Sequence, residues 1–205
     1  MNKKKGLFIS FEGPEASGKS SQILLLQKYL TTKKISFITT REPGGTKLAE
    51  SLRYLILKIK SDINIEEEIL MLMAARSHHI NNVIKPALDK GILVISDRFA
   101  DSTFVYQGYV NNFGIQKAKS LHKNILNNFL PHKTFLFNLS SSKIIARLKK
   151  RKSKNKYDKL ERNFHDQVNR GYELISKNKR FIKIDASKSI TSINKKIINA
   201  INLLI

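Results

Sequence analysis

The stretch Gly13-Pro14-Glu15-Ala16-Ser17-Gly18-Lys19-Ser20 fits the pattern G-x-x-x-x-G-K-[ST] in full. The short apolar run Leu7 to Phe11 precedes it and is typical of a buried parallel strand. Apolar residues at mostly helical spacing follow it: Ile23, Leu24, Leu26 and Leu30. A loop between a strand and a helix directs unpaired backbone N–H groups at one point. We therefore predict a phosphate-binding loop in which Lys19 reaches the β and γ phosphates and Ser20 holds Mg²⁺.

The alternative to a phosphate-binding loop is a flexible Gly/Ser turn that contains lysine by chance. The flanking strand and helix stand where the phosphate-binding mechanism requires them, and this context favours the loop. The chain of 205 residues has the size of one domain with a sheet-centred core. We therefore expect residues 1–205 to form a single domain.

The composition limits the class of protein. The chain lacks cysteine, which excludes a disulfide framework and a thiolate metal site. Its formal net charge of +22 is compatible with a nucleic acid ligand, with a small anionic substrate or with neither. The richness in Lys, Asn and Ile is also what A+T-rich codons produce. A functional charge and compositional drift both remain open.

The N-terminus and the hydropathy bear on location. Residues Met1 to Lys5 are mostly basic, but the apolar run after them is too short for a signal peptide. No run approaches eighteen apolar residues, so we predict a cytoplasmic protein without a membrane partner.

Five apolar runs rich in strand-forming residues alternate with helical stretches: Leu7 to Phe11, Ile35 to Thr39, Ile92 to Ser96, Thr134 to Leu139 and Phe181 to Ile184. This alternation predicts an α/β fold with a five-stranded parallel sheet and helices on both faces. Ligands then collect at the carboxyl ends of the strands.

Charged residues follow two of these runs. Arg41, in the stretch Thr40-Arg41-Glu42-Pro43-Gly44-Gly45-Thr46, is either part of a turn capped by Thr46 or an anion ligand. Asp97 ends the third run and is either the second Mg²⁺ ligand or the partner in an ion pair that caps the next helix. Of two helical arginines, Arg53 is compatible with a solvated role, whereas Arg76 is either buried beside a partner or exposed, and periodicity does not decide between these.

Two further segments suggest ligand contacts. The stretch Asp101-Ser102-Thr103-Phe104-Val105-Tyr106-Gln107-Gly108 mixes hydroxyls, an amide and aromatic rings, which suits a pocket for a flat polar base. Residues 143–162 carry ten lysines and arginines against two acids. Such a run is either a solvated helix face or a basic lid that closes over a triphosphate, and the scarcity of cations in the phosphate-binding loop favours the lid.

Together these motifs resemble the bacterial thymidylate kinases, a family of nucleoside monophosphate kinases. The specific stretches are Thr40-Arg41-Glu42-Pro43-Gly44-Gly45-Thr46, Asp97-Arg98-Phe99 and Tyr106-Gln107-Gly108. The resemblance covers nearly the whole chain. It implies a P-loop kinase fold and Mg²⁺-dependent transfer of the ATP γ-phosphate to dTMP, which gives dTDP.

The resemblance also implies roles for individual residues. Those in catalysis are Lys19, Arg98, Arg151 and Glu15. Those that contact dTMP are Arg41, Pro43, Arg76, Arg98, Ser102, Thr103, Tyr106, Gln107 and Tyr172. Those that hold ATP are the loop Gly13 to Ser20 together with Arg147, Asp185, Ala186 and Ser187. The metal ligands are Ser20 and Asp97, and the lid arginines are Arg151 and Arg147. A homodimer is implied by the same resemblance.

The chain departs from the family pattern at three places. Before Gly171-Tyr172, the usual arginines are replaced by Gln167 and Asn169, with Arg170 displaced. An aromatic residue often precedes the arginine of the long helix, and here the corresponding residues are Leu72 and Met73. The lid commonly reads Asp-Arg-x-Glu, whereas this chain has Asp158-Lys159-Leu160-Glu161. Lysine lacks the planar fork of arginine, so Lys159 is not assigned a role.

Two other functions remain as alternatives. One is a P-loop kinase for another nucleotide or a nucleoside, and an acceptor panel distinguishes it. The other is a basic nucleic-acid-binding ATPase, which requires steeply salt-dependent binding to a polymer. The basic segment has few aromatic residues, and this speaks against stacking on single strands, so we expect no specific nucleic-acid partner.

Overall fold

The computed structural model describes residues 5–58, 62–150 and 161–205. Its strands are β1 (Phe8–Glu12), β2 (Phe37–Arg41), β3 (Leu93–Asp97), β4 (Lys133–Asn138) and β5 (Phe181–Asp185). They form one five-stranded sheet in the order β2-β3-β1-β4-β5, and every pairing is parallel. The predicted α/β fold with a parallel sheet is therefore confirmed, with strand ends within two residues of the apolar runs.

The helices connect the strands in the alternating manner that parallel pairing requires. They are α1 (Lys19–Thr32), α2 (Lys47–Lys58), α3 (Ile65–His79), α4 (Lys85–Asp89), α5 (Ala100–Thr103), α6 (Ile115–Leu126), α7 (Ser141–Lys149), α8 (Arg162–Ile175) and α9 (Ile190–Asn202). Two π-helical segments, Ile80–Ile84 and Phe104–Val110, continue α3 and α5. Such wide turns are frequent at functional sites.

Side chains of β1 alternate between the two faces of the sheet, as strand geometry dictates. Phe8 belongs to the core that includes residues of α3, α6 and α8. Ile9 and Phe11 belong to the opposite core, beside residues of α1, α7 and α9. Both faces are thus covered, which explains why the strands read as continuous apolar runs.

The sheet brings polar side chains together at one edge. The carboxyl ends of β1, β2 and β3 carry Glu12, Arg41 and Asp97, and Asp97 is in register with both Phe11 and Arg41. The chain order reverses beside β1, because β1 pairs with β3 on one side and β4 on the other. Ligands of open parallel sheets bind at such a point.

Candidate active site

The phosphate-binding loop joins β1 to α1 and needs glycine at its first position. Gly13 has φ 132°, a conformation that side chains rarely adopt, and a Cβ there would collide with the main chain of Phe137. The loop therefore approaches β4 closely and then turns to the N-terminus of the 14-residue α1. The positive end of this helix dipole faces the loop, which favours an anion.

Lys19 lies folded over the phosphate-binding loop and is buried. Its Nζ donates to the carbonyl oxygens of Gly13 at 3.0 Å and Pro14 at 2.7 Å, and to Ser17 Oγ at 3.2 Å. Burial, with a further contribution from the positive charge of Arg98, lowers the pKa of Lys19 to about 8. A polyphosphate would supply the negative charge that keeps this ammonium protonated.

Ser20 and Asp97 meet at the start of α1. The Ser20 hydroxyl donates to Asp97 Oδ2 at 3.0 Å, across the carboxyl ends of β1 and β3. Among residues 5–58, 62–150 and 161–205 there is no cluster of three or more His, Cys, Asp or Glu able to hold a metal. One hydroxyl and one carboxylate suit Mg²⁺, which keeps most of its ligands as water and substrate phosphate oxygens.

Arg98 adopts an unusual backbone conformation directly after β3. Its φ is 68°, held by a hydrogen bond from its N–H to the Phe11 carbonyl and by one from Ser96 Oγ to its own carbonyl. Left-handed arginine is uncommon, and such strained residues concentrate at functional sites. The side chain then reaches the phosphate-binding loop, where Nη1 donates to the Gly13 carbonyl at 3.1 Å.

Glu15 connects the phosphate-binding loop to Arg98 and Tyr106. Its carboxylate accepts from Arg98 Nη2 and from the Tyr106 hydroxyl, each at 2.7 Å. Burial alone would raise the pKa of Glu15, but the charges of Arg98 and Lys19 outweigh it and the pKa is lowered. Glu15 is therefore an acceptor in this cluster, a role that suits contact with a sugar hydroxyl.

Glu12 belongs to the same cluster, although no role was predicted for it. It accepts hydrogen bonds from the Phe99 N–H, the Ser102 hydroxyl and the Tyr172 hydroxyl, at 2.6 to 2.9 Å. Burial, with a smaller contribution from Asp101, raises its pKa to about 7. The sequence signal that could have identified Glu12 is its position between an apolar strand and Gly13.

Tyr172 lies behind Arg98. The Tyr172 hydroxyl contacts Arg98 Nη1 at 3.2 Å and Ser102 Oγ at 3.0 Å, and the side chain is outside the lining of the main cavity. These contacts support the Arg98 side chain, and the expected position of Tyr172 near the base stays a prediction. Ser102 also accepts from Arg98 Nη1, at 3.0 Å.

Arg76 is held by a second buried cluster. Its Nε donates to Glu42 Oε2 at 2.6 Å and its Nη2 to Thr103 Oγ1 at 2.8 Å. His79 Nδ1 contacts the other oxygen of Glu42 at 2.9 Å. Arg76 and Glu42 are each 3% exposed, so Arg76 is the buried one of the two alternatives that its periodicity left open. A buried arginine of this kind needs such partners.

Leu72 and Met73, the two residues at the family's aromatic position, separate in the structure. Leu72 lines the main cavity, whereas Met73 lies in the core and contacts Arg76 through its sulfur. Phe99 lies under the Arg76 guanidinium, 5.3 Å from ring centroid to Cζ, and also lines the cavity.

Arg41 and Arg53 add two positive charges to the same cavity. Arg41 forms an exposed ion pair with Glu50, at 2.9 Å. Arg53 Nη1 donates to the Pro43 carbonyl at 2.8 Å, which turns the side chain inward. Periodicity alone is compatible with a solvated Arg53, and its proximity to the Pro-Gly-Gly turn was the signal that could have placed it.

These side chains surround one cavity of about 550 Å³. One end is formed by the loop residues Glu15 to Ser20 together with Asp97 and Arg98. Tyr106 borders the same part, because its hydroxyl donates to Glu15 at 2.7 Å. The rest of the lining includes Pro43, Glu68, Leu72, Arg76, Thr103 and Gln107. The predicted phosphate residues and the predicted base residues thus border a single space.

The residues predicted to contact ATP in addition to the loop residues do not line the main cavity. Arg147 donates to the carbonyl oxygens of Ala16 at 3.1 Å and Ala186 at 3.0 Å, so it links α7, the loop and the end of β5. Asp185 and Ser187 line a second, polar cavity beside β5. Residues 143–149 of the predicted lid belong to α7, and Arg151 lies outside the described residues.

The fold and the site define a class first. A phosphate-binding loop at the switch point of a parallel sheet, a hydroxyl and carboxylate suited to Mg²⁺, and arginines converging on the same space are the parts of a P-loop phosphotransferase. The cavity of about 550 Å³ beside the loop, with several polar side chains in its lining, suits a nucleotide and narrows this to a nucleotide kinase.

Comparison with known proteins gives the family. The thymidylate kinase family model matches residues 11–197. A thymidylate kinase of Mycoplasma capricolum is 42% identical over 95% of this chain and 94% of its own length. A thymidylate kinase of Carboxydothermus hydrogenoformans is 41% identical over 90% of this chain and 91% of its own length. A thymidylate kinase of Ruthia magnifica is 40% identical over 91% of this chain and 93% of its own length. The chain belongs to the thymidylate kinase family, which confirms the resemblance inferred from its motifs.

Proposed function

We propose that this protein transfers the γ-phosphoryl group of ATP to dTMP, giving dTDP and ADP, with Mg²⁺ as cofactor. The observation that carries the proposal is the single cavity in which Lys19 and Arg98 stand at one end and Arg76 and Thr103 at the other. A nucleoside monophosphate placed along it has its phosphate at the loop and its base against Arg76.

Transfer of a phosphoryl group asks for positioning and charge neutralisation. Lys19 and the backbone N–H groups of the loop hold the donor phosphates, and Arg98 holds the acceptor phosphate, with Arg41 and Arg53 beside it. Ser20 and Asp97 would hold Mg²⁺, which would supply further neutralisation of the phosphate oxygens. Glu15 accepts from the sugar hydroxyl of dTMP while Tyr106 packs beside the sugar.

The donor nucleotide lies on the side of Arg147 and of residues 185–187. The proposal is supported by the position of Arg147, whose guanidinium lies between the Ala16 carbonyl of the loop and the Ala186 carbonyl after β5. Arg151 completes the neutralisation as part of a basic lid over residues 143–162, which belongs to the single domain of residues 1–205.

The acceptor panel tests the activity directly. Purified protein with ATP and Mg²⁺ is given dTMP, dUMP, CMP, GMP, AMP or thymidine, and ADP release is followed by a coupled assay. We expect dTMP to give the highest kcat/KM. Failure to consume ATP with dTMP as sole acceptor contradicts the proposal, and preference for thymidine or another nucleotide supports the alternative kinase.

Location and partners form the remaining part of the proposal. None of the helices within residues 5–58, 62–150 and 161–205 is long and apolar enough to span a membrane. We propose that the protein acts in the cytoplasm as a homodimer. The helices α2 and α3 support a dimer because they expose Tyr54 and Leu70, 59% and 54% exposed, along with Leu48 and Leu55.

Light scattering after size-exclusion chromatography tests the dimer. Leu70→Glu on α3 is expected to shift it to monomer, whereas Leu174→Glu on α8, equally apolar and 48% exposed, leaves it unchanged. A monomer at micromolar wild-type concentration contradicts the proposed assembly. No specific nucleic-acid partner is expected, and tight binding to DNA that survives raised salt would contradict that.

A further inference from the structure

Two helical walls face each other across the base end of the main cavity. Glu68, Leu72 and Arg76 stand four residues apart on α3, so they share one face of that helix. Thr103 and Gln107 stand opposite, at the end of α5 and in the π-helical segment that follows. All five side chains border the same space.

Two hydrogen bonds join the walls at either side of Leu72. Arg76 Nη2 donates to Thr103 Oγ1 at 2.8 Å, and Gln107 Nε2 donates to Glu68 Oε1 at 2.7 Å. Glu68 is 8% exposed and Gln107 4% exposed, so the second bond is shielded from water. No role was predicted for Glu68, and the predicted contact of Gln107 with the substrate leaves its orientation undecided.

The carboxylate of Glu68 decides which end of the Gln107 amide faces the ligand. An ionised carboxylate only accepts hydrogen bonds, whereas an amide offers an N–H₂ donor at one end and an oxygen acceptor at the other. Since the N–H₂ end is directed to Glu68, the Oε1 end remains for the cavity. Arg76 stands two turns away on α3 with N–H donors beyond those used by Glu42 and Thr103.

We propose that Glu68 is a positioning residue that holds the Gln107 amide with its oxygen toward the base and thereby selects thymine or uracil over cytosine. This inference rests on the proposed function. The acceptor oxygen of Gln107 and a remaining N–H donor of Arg76 border the same cavity, and this pair of groups matches the N3–H and C4 carbonyl of thymine. Cytosine presents the opposite pattern, with an acceptor at N3 and an amino group at C4.

A mismatched base leaves buried polar groups unpaired on both partners, and such sites discriminate strongly. When the amide can rotate, it offers N–H₂ to N3 of cytosine and the penalty falls. The effect belongs to base binding, which is the same in the ground state and the transition state. It should therefore alter KM more than kcat.

Glu68→Gln tests the inference, because a glutamine of nearly equal size accepts or donates and no longer fixes its partner. We expect kcat/KM for dTMP to fall about tenfold, mainly through KM, and the dTMP to dCMP preference to narrow by at least about tenfold. Glu66→Gln is the matched control, with the same charge change on an exposed residue of the same helix turn. It should leave the preference unchanged.

Calorimetric dissociation constants of dTMP and dCMP give a second readout that does not require turnover. In a Gln107→Met background, Glu68→Gln should change the preference no further. A preference that is unchanged in Glu68→Gln, or that still changes when Gln107 is absent, overturns the inference. If Glu68→Gln folds poorly, Glu68→Met is put through the same comparison. Wild-type protein inactive toward dTMP contradicts the proposed function, whereas active wild type with an unaltered Glu68→Gln preference contradicts only this inference.

Discussion

The two ends of the nucleotide-binding region differ in how their charges are held. On the proposed acceptor side, Glu42 holds Arg76 in a buried ion pair of 2.6 Å, and Glu15 holds Arg98 in a partly buried ion pair of 2.7 Å. On the donor side, Arg147 donates to main-chain carbonyls and the last strand ends in an exposed residue. The arginines of the proposed acceptor side are held in place by side chains of the protein itself, and such fixed groups suit recognition of one base.

In the proposed function, the donor side depends on the phosphate-binding loop and on the basic lid of residues 143–162. A loop of backbone N–H groups binds any triphosphate, so the base of the donor contributes less to selectivity. This contrast predicts that substitutions on the donor side change turnover, while those on the acceptor side change folding and acceptor binding.

The largest effect is expected at Arg151. If Arg151 neutralises the transferred phosphoryl group, Arg151→Ala lowers kcat by roughly two to four powers of ten and changes nucleotide dissociation constants little. Steady-state kinetics and calorimetry on one preparation measure both. Lys150→Ala, the adjacent cation, is the control and should remain within about twofold of wild type. Unchanged turnover in Arg151→Ala removes this residue from the mechanism.

Two glutamates that follow β2 in the chain give a matched test of burial. Glu42→Ala leaves Arg76 and His79 buried without their carboxylate, and we expect a loss of about 3–5 kcal/mol in the free energy of unfolding. Glu50→Ala breaks the exposed pair with Arg41, 57% exposed, and should cost less than about 1 kcal/mol. Urea denaturation measures both variants. Similar losses would show that burial does not distinguish the two pairs.

The same contrast applies to the arginines proposed for the acceptor phosphate. Arg98→Met should lower kcat/KM for dTMP by about two powers of ten or more, because its charge acts in a shielded site beside the loop. Arg41→Met should lower it by about tenfold or less, since Arg41 is screened by water and by Glu50. Competition experiments with dTMP, together with thermal melting to exclude unfolding, measure the difference. An equal loss of kcat/KM in Arg98→Met and Arg41→Met would mean that shielding from water does not determine how much each arginine contributes.

The sequence predicted the sheet and the loop because each depends on local pattern. The five apolar runs lie within two residues of the strands, and Gly13 to Ser20 carry their chemistry in a contiguous motif. The clusters around Glu12, Glu42 and Glu68 escaped prediction because their partners are distant in the chain. Glu12 meets Tyr172, and Glu68 meets Gln107, only after the helices have packed. Periodicity predicts the face of a helix or strand on which a residue lies, but it does not identify the distant residue with which the side chain forms a hydrogen bond.

Arg53 and Tyr172 show that a local sequence pattern does not predict the direction of a side chain. The helical pattern is compatible with a solvated Arg53, yet its hydrogen bond to the Pro43 carbonyl turns it into the cavity. The family resemblance implies that Tyr172 lies near the base, but it does not predict that the Tyr172 hydroxyl contacts Arg98 and Glu12. In both cases the direction of the side chain depends on a tertiary hydrogen bond, which a local pattern does not contain.

The smallest effect concerns the proton on Lys19. Its pKa of about 8 in the protein alone should rise when a triphosphate contacts the ammonium, so binding above pH 8 requires uptake of a proton. ATP affinity should therefore be constant below about pH 8 and weaken by up to about tenfold per unit above it, until the pKa of the complex is reached. Calorimetry in buffers of different ionisation enthalpy measures both the affinity and the protons taken up.

Lys19→Met is the control for this pH dependence, because it keeps most of the side-chain volume and has no proton to exchange. Its ATP affinity should be weak at every pH and lack the decline above pH 8. Wild-type affinity that stays constant through about pH 9, without proton uptake, would mean that the triphosphate does not replace the Gly13 and Pro14 carbonyls as the partner of Nζ. The donor side would then rely on its backbone N–H groups alone, and the contrast with the acceptor side would be greater still.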